Sequence, residues 1–431
     1  MNMTKLKKML SLNIFFGIII LVIYIIVLTP LTAHAAEYTL LDIYKIALTQ
    51  SEKIKMAEED LYLSHETQDK TLGGLLPNIT AFGSYKTYGT KSYGLKASKN
   101  LSLGGSEIIA YKMSKVNINK SEYDLKTVKS DYLLDVTTAY INILRASKAV
   151  TITQTNVTRL KNHRDAALIR LQVGETIKTA VLRAEAELSG ANVELVKAQN
   201  GLNLAKAVLA RLIGLTDEYQ IIETSDIFEL DDSKTLYELK DMAVKNRMEV
   251  KSLELADKIL EQNINIAKGS FWPVISAEIV YSNTFLEPSP QYFPSEGLYT
   301  GVTLSYALFE GGIRRIEVNE AKSKWRKASL SLIDLKKSLQ IGIENLYSEY
   351  QTQMEVLKSI ADQLAFSQDN YNLVSKQYSY GLVNSLDVMD ANNILSRAET
   401  SLSDARYNYQ LIVIKLKHAT GMLLPEIEGK N

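Results

Sequence analysis

The residues best placed for chemistry in this chain are two aspartates, Asp387 and Asp390, rather than any catalytic constellation. Three residues apart on a helix, they share one side. Repeated around an oligomer they would stack two rings of carboxylates, an arrangement that selects cations in a pore. The plainer reading is a solvated helix N-terminus, where the macrodipole favours aspartate. Little else here could react. The chain has no cysteine, which excludes a thiol nucleophile, a disulfide framework and lipid attachment through an N-terminal Cys. His34, His65, His163 and His418 are scattered without metal-binding spacing. Neither a Gly-x4-Gly-Lys-Ser/Thr phosphate loop nor a Gly-x-Gly-x-x-Gly fingerprint occurs. No catalytic residue, metal site or cofactor is expected, and an enzyme is the least supported class.

Lys plus Arg and Asp plus Glu are equal at 49 each, so the charge balance gives no reason to expect a nucleic-acid partner. Residues 1–36 have the layout of an export signal: Lys5, Lys7 and Lys8, an apolar run from about Leu10 to Leu28, then Ala33-His34-Ala35 before Ala36. Cleavage after Ala35 or Ala36 is the simplest reading. A retained anchor is the alternative, because the run nearly reaches the ~20 residues that span a bilayer.

The elements that must position the aspartates come in two copies. At an offset of 207 residues Gly104-Gly105 matches Gly311-Gly312, Tyr140 matches Tyr347, Gly174 matches Gly381, Leu188 matches Leu395 and Gly214 matches Gly421. Upstream, Pro77 matches Pro273 at an offset of 196, so the second copy holds a longer loop, assigned to Leu286–Glu296 with Pro288, Pro290 and Pro294. No proline lies between 78 and 272 or between 295 and 424, and a helix interior excludes proline at a cost of about 3 kcal/mol. Heptad-spaced apolar residues predict long helices over Ser106–Gln172 and Ile313–Ser379. Each stops at a glycine, Gly174 or Gly381. A returning helix follows in each copy, Ile177–Ile213 and Ser385–Thr420, and shorter helices are expected near Leu40–Thr71 and Leu236–Lys268. Asn78–Tyr85, Ser92–Leu101, Val274–Thr284 and Leu298–Leu308 read as strands of about membrane-spanning length.

The domain plan is therefore a signal at 1–36, a first repeat at 37–214, an acidic connector at 215–235, a second repeat at 236–421 and a tail at 422–431. The connector carries Asp217, Glu218, Glu223, Asp226, Glu229, Asp231 and Asp232 and no base over Thr216–Asp232. Four strands cannot close a membrane barrel, since closed barrels begin at about eight strands. The chain must oligomerise if these strands enter a membrane; two copies give eight strands and three give twelve.

Four segments carry a specific resemblance: Arg170-Leu171-Gln172-Val173-Gly174, Tyr378-Ser379-Tyr380-Gly381-Leu382, Asp387-Val388-Met389-Asp390-Ala391 and Ala405-Arg406-Tyr407-Asn408-Tyr409. On them the chain resembles the TolC family of outer-membrane export ducts over essentially its whole mature length. The resemblance implies a mainly α fold with membrane β. Long antiparallel coiled-coil helices would form an α-barrel tunnel, and four strands per chain would contribute to a homotrimeric twelve-strand barrel in outer-membrane lipid. It also implies a large periplasmic portion docked onto a periplasmic adaptor (membrane fusion) protein and an inner-membrane pump or ABC exporter. By the same resemblance Asp387, Asp390 and Tyr378 are pore or gate candidates. Val173, Gly174, Glu175, Tyr380, Gly381 and Leu382 are candidates for the adaptor-docking tip.

One departure concerns the gate. In the family's best-known member an Arg two residues after the second-turn glycine bonds an Asp six residues after the first-turn glycine, and this chain has Val383 and Ala180 there. The polar lock is missing, while the gate tyrosine is kept as Tyr378. The function expected is a passive duct of a tripartite efflux or type I secretion system, its cargo unspecified. The alternative is a periplasmic coiled-coil scaffold or adaptor anchored by its N-terminal segment.

Overall fold

The computed structural model describes residues 36–86, 90–215, 219–223, 234–286 and 295–428. The expected signal, most of the acidic connector and the three-proline loop lie outside the described residues. In chain order the elements are β1 (Ala36–Tyr38), α1 (Leu40–Gln50), α2 (Glu52–Gly73), β2 (Asn78–Lys86), β3 (Thr90–Ser102), α3 (Ser106–Gln172), α4 (Lys178–Ile213) and β4 (Tyr219–Ile221). They continue as α5 (Leu236–Asn246), α6 (Met248–Gly269), β5 (Val274–Leu286), β6 (Ser295–Ser305), α7 (Ile313–Ser379), α8 (Ser385–Ala419) and α9 (Leu423–Glu428).

The two 67-residue helices α3 and α7 have the limits their glycine and proline punctuation sets. Each follows a left-handed glycine, Gly105 at φ 70° or Gly312 at φ 81°, a conformation that costs a side-chain-bearing residue about 1–2 kcal/mol. The shorter upstream helices differ from expectation, because each is broken once. Ser51 (φ −61°, ψ 123°) separates α1 from α2, and Arg247 (φ −60°, ψ 125°) separates α5 from α6. Neither break uses proline or glycine. At the first break the Ser51 hydroxyl accepts from Ile54 N–H and caps α2. Reciprocal caps start the upstream pieces: the Thr39 hydroxyl accepts from Asp42 N–H while the Asp42 carboxylate accepts from Thr39 N–H, and Thr235 and Glu238 repeat the arrangement.

The breaks let α1 turn into a core at the middle of the molecule. Leu40, Ile43, Tyr44, Leu133, Val136, Tyr140, Leu209, Ile213, Leu423 and Leu424 pack there, all at most 4% exposed. Each large apolar side chain buried in this way contributes about 1.5–3 kcal/mol. Around it β1 pairs in parallel with β4, Ala36 opposite Tyr219 and Tyr38 opposite Ile221. The Tyr140 hydroxyl donates to the Ile222 carbonyl at 2.6 Å, closing the belt onto α3.

On one side of this belt α4, α3, α8 and α7 lie in that order; on the other, α2, α3, α6 and α7 do. The second row continues into a four-stranded antiparallel sheet of matching order, β2-β3-β5-β6. At the junction Gly104 touches Gly269, and a Cβ on Gly104 would lie 2.5 Å from the Gly269 Cα. The pairing Ile79–Ala97, Ala97–Ile279 and Ile279–Thr300 fixes which residues share a face. One face carries Ile79, Tyr85, Tyr93, Leu95, Ile279, Tyr281, Leu298, Val302 and Leu304, all exposed. The other carries mainly Thr80, Ser84, Ser92, Lys96, Ser98, Ser276, Glu278, Ser282 and Thr303, with Lys96 and Glu278 paired at 2.6 Å. Apolar on one side and polar on the other, such a sheet suits lipid outside and water inside. No described helix is long and apolar enough to cross a membrane.

Candidate functional site

The end remote from the sheet is formed by the two helix reversals. In each, the glycine takes the left-handed conformation, Gly174 at φ 79° and Gly381 at φ 73°. Glu175 N–H reaches back to the Arg170 carbonyl at 2.8 Å and Leu382 N–H to the Gln377 carbonyl at 3.0 Å. These are Schellman closures, and they satisfy carbonyls that a helix end otherwise orphans. They leave Val173, Ile177, Tyr380 and Leu382 64–74% exposed. Gly174, Glu175 and Gly381 are exposed beside them. Four bare apolar side chains on two adjoining turns form an apolar tip.

Between the turns lies a cleft of about 780 Å³, lined by Ala180, Val383, Arg170, Arg183, Tyr378 and Asn384 among others. Ala180 and Val383, at the positions the resemblance gives to a polar lock, therefore face common open space. A different set of contacts joins the two hairpins. The Arg170 guanidinium donates to the Ser379 carbonyl at 2.9 Å and sits 4.5 Å from the Tyr378 ring centroid, a cation–π contact. Tyr378 is 7% exposed, and its ring lies 5.1 Å from that of His163, whose Nε2 is 2.8 Å from the Ser385 hydroxyl. Burial holds the His163 pKa below its ordinary value and pushes that of Tyr378 up. The Tyr378 hydroxyl is buried without a hydrogen-bond partner among the described residues.

A second tie stands above the first. Arg159 on α3 grips both carboxylate oxygens of Glu399 on α8, at 2.8 and 2.9 Å, and its Nε donates to Asn392 Oδ1 at 2.9 Å. Asn392, 2% exposed, donates in turn to Asn156 Oδ1 at 2.8 Å. A bidentate, mostly desolvated pair of this kind is far stronger than a surface ion pair. Sequence reasoning missed Arg159, Glu399, Asn392, Arg170, His163 and Ser385 as a group. Arg170 lies inside one of the resembling segments, but its partners are some 200 residues away.

The two aspartates begin α8, and they are not equivalent. Asp387 closes the capping box: its carboxylate accepts from Asn384 N–H at 2.9 Å while its own N–H donates to Asn384 Oδ1 at 3.1 Å. Asp390 is exposed and has no hydrogen bond or ion pair among the described residues. The helix-end role is thus occupied by Asp387, and Asp390 is the freer carboxylate. No group of three or more His, Asp or Glu among the described residues is arranged to hold a metal.

A ribbon of long helices running into a two-faced antiparallel sheet, open at both edges, is one stave of a membrane-spanning duct. The sequence profile described as outer membrane efflux protein matches residues 54–215 and 239–422, and the chain belongs to that family, whose members are outer-membrane channels. It is 22% identical over 408 residues to outer membrane protein TolC of Escherichia coli, covering 89% of this chain and 82% of that one. It is 22% identical over 379 residues to cation efflux system protein CusC of the same organism, covering 85% and 80%. A crystal structure of CusC superposes with a TM-score of 0.79 at 18% identity, covering 89% of this chain and 92% of the other. The chain is accordingly an outer-membrane channel subunit with a large periplasmic portion, and the mainly helical fold with membrane strands agrees with the sequence reading.

Proposed function

We propose that three copies close into one passive duct with a twelve-strand barrel in outer-membrane lipid, and that this duct exports cargo handed over by an inner-membrane pump or ABC exporter through a periplasmic adaptor. The observation that carries the reading is the pair of edges left unpaired among the described residues. β2, α2 and α4 end the ribbon on one side, and β6 and α7 end it on the other. Unpaired strand edges are not tolerated in lipid. With every helical portion on the same side of the membrane, β6 of one copy must pair with β2 of the next, a head-to-tail contact that closes as a ring.

The tip residues Val173, Gly174, Glu175, Tyr380, Gly381 and Leu382 would receive the adaptor. Their exposed apolar side chains on rigid Schellman turns support this, because rigid display lowers the entropy lost on docking. Asp390, aided by Asp387, would form the acidic ring at the tunnel entrance. Tyr378 and the two ties to α3 would hold that entrance narrow. The two repeats and the connector between them would act as structural units of each stave. No step of the function requires catalysis.

Detergent-solubilised protein analysed by light scattering, followed by planar-bilayer recording, tests the reading. A trimer with ion conductance is expected. A water-soluble monomer without conductance would sink it.

A further inference from the structure

Glycine in the middle of an exposed helix destabilises it relative to alanine, and α4 contains two, Gly190 and Gly201. A Cβ built on Gly190 meets nothing within 4 Å, so no neighbour among the described residues requires its smallness. Gly190 adjoins a seam of residues at alternating spacings of four and three: Leu182, Ala186, Ser189, Val193, Val196 and Asn200. This seam lies opposite the one by which Val181, Ala184 and Ala191 are buried. Leu182, Val193 and Val196 on it are 52–55% exposed. Two opposed seams on one helix are what a barrel of helices needs, since each helix must pack against two neighbours.

The other open edge, α7, carries a matching knob. Phe366 is 74% exposed, Leu373 one heptad on is 57% exposed, and Tyr380 one further heptad on is 72% exposed. Contacts within the chain fix the level of Phe366 relative to α4. Ser329 on α7 bonds Asp257 on α6, and Ser252, five residues earlier on α6, bonds Asp124 on α3. Because α6 runs antiparallel to α3 and α7, Ser329 is level with about residue 119 of α3. Descending 37 residues from Ser329 reaches Phe366, and the same descent along α3 reaches residue 156, beside Val157. Val157 packs against Ala191 of α4. A closed ring has no rise between copies, so Phe366 of one copy arrives level with Ala191 of the next. Knobs enter holes formed by residues i, i+3, i+4 and i+7. Of the α4 holes on this seam that span that level, 186-189-190-193 contains Gly190 and Val193 while 189-192-193-196 contains Val193 and Asn192, and the glycine leaves the room a phenylalanine ring needs.

We propose that Phe366 of each subunit seats in a notch floored by Gly190 and walled by Val193 on the next subunit, a ring-to-glycine lock on the tunnel wall. This rests on the ring reading above and goes beyond it by assigning which residues meet. The occupant is a second copy of this chain.

The absence of cysteine makes the test direct. Full-length protein carrying Gly190→Cys with Phe366→Cys, oxidised in detergent and run on a non-reducing denaturing gel, should give covalent dimer and trimer bands. Each single variant should run as monomer, as should Phe366→Cys with Leu204→Cys, because residue 204 lies about 21 Å further along α4. A second arm uses size. Gly190→Phe should lower the trimer fraction, and adding Phe366→Ala should restore it. A protein that sizes as a trimer yet cross-links only through residue 204, or shows no rescue in the swapped pair, overturns the lock and leaves the ring standing. A protein that sizes only as a monomer overturns the ring itself.

Discussion

Arg159 and Glu399, 240 positions apart in the sequence, meet fork to fork with side chains only 14% and 19% exposed, and so fasten the first hairpin to the second just above the tip. Removing either partner strands a charge that the other no longer neutralises. Arg159→Ala should cost on the order of 1.5–3 kcal/mol of hairpin docking. Single-channel recording should then show a larger conductance than the parent. Glu399→Ala should behave alike, and the double variant should fall well short of the summed effects, as coupled residues do. Additive effects would mean that the pair does not act as one tie.

His163 makes the lower tie sensitive to pH. Its folded pKa is depressed by burial, so the unfolded or detached state binds the proton more readily. The stabilisation is complete above the ordinary histidine value of about 6.5 and is lost as pH falls below it. Thermal stability and closure should therefore both decline between about pH 7 and pH 5. His163→Gln, which keeps a hydrogen-bonding group near Ser385, should flatten that slope; parent and variant curves that run parallel would rule the histidine out.

The two aspartates can now be separated experimentally. Asp387→Ala removes a capping-box carboxylate and should cost about 1 kcal/mol in helix stability together with any electrostatic effect. Asp390→Asn spares the cap, so a fall in cation selectivity in that variant, read from reversal potentials under a salt gradient, reports the ring alone. Unchanged reversal potentials in Asp390→Asn would remove it from the filter.

At the tip, Gly381→Ala places a Cβ at φ 73° and should destabilise the second reversal by about 1–2 kcal/mol. Leu382→Asp leaves the turn geometry intact and changes only the exposed apolar surface. Loss of adaptor co-purification in Leu382→Asp, with trimer and conductance unaffected, is the expected result. Retained co-purification would place docking elsewhere.

The limits of α3 and α7 were legible in sequence because they are set locally, by glycines that enter the left-handed region and by the absence of proline between them. The breaks at Ser51 and Arg247 escaped notice because neither residue is a breaker. The local signal at the first break is Ser51 itself, whose hydroxyl accepts from Ile54 N–H and caps α2, while Arg247 makes no side-chain cap at the second. What bends α1 is the apolar core around Tyr44 and Tyr140, assembled from both ends of the chain. That Asp387 stands at a helix start is legible from its place six residues after Gly381, but its capping bond to Asn384 is a property of the folded turn.

By itself the sequence determined the duplication, the long helices, the glycine turns and the membrane-length strands, since all follow from periodicity and from the backbone preferences of single residues. Tertiary structure alone decided which strand face is apolar, because a shift of one residue in register would exchange the two faces. It also decided how the hairpins are tied. Where the resemblance would place a polar lock the chain has Ala180 and Val383, and the hairpins are joined by Arg170, His163 and Arg159 reaching partners more than 200 residues away. No local pattern encodes such contacts; they exist only where two helices are laid side by side.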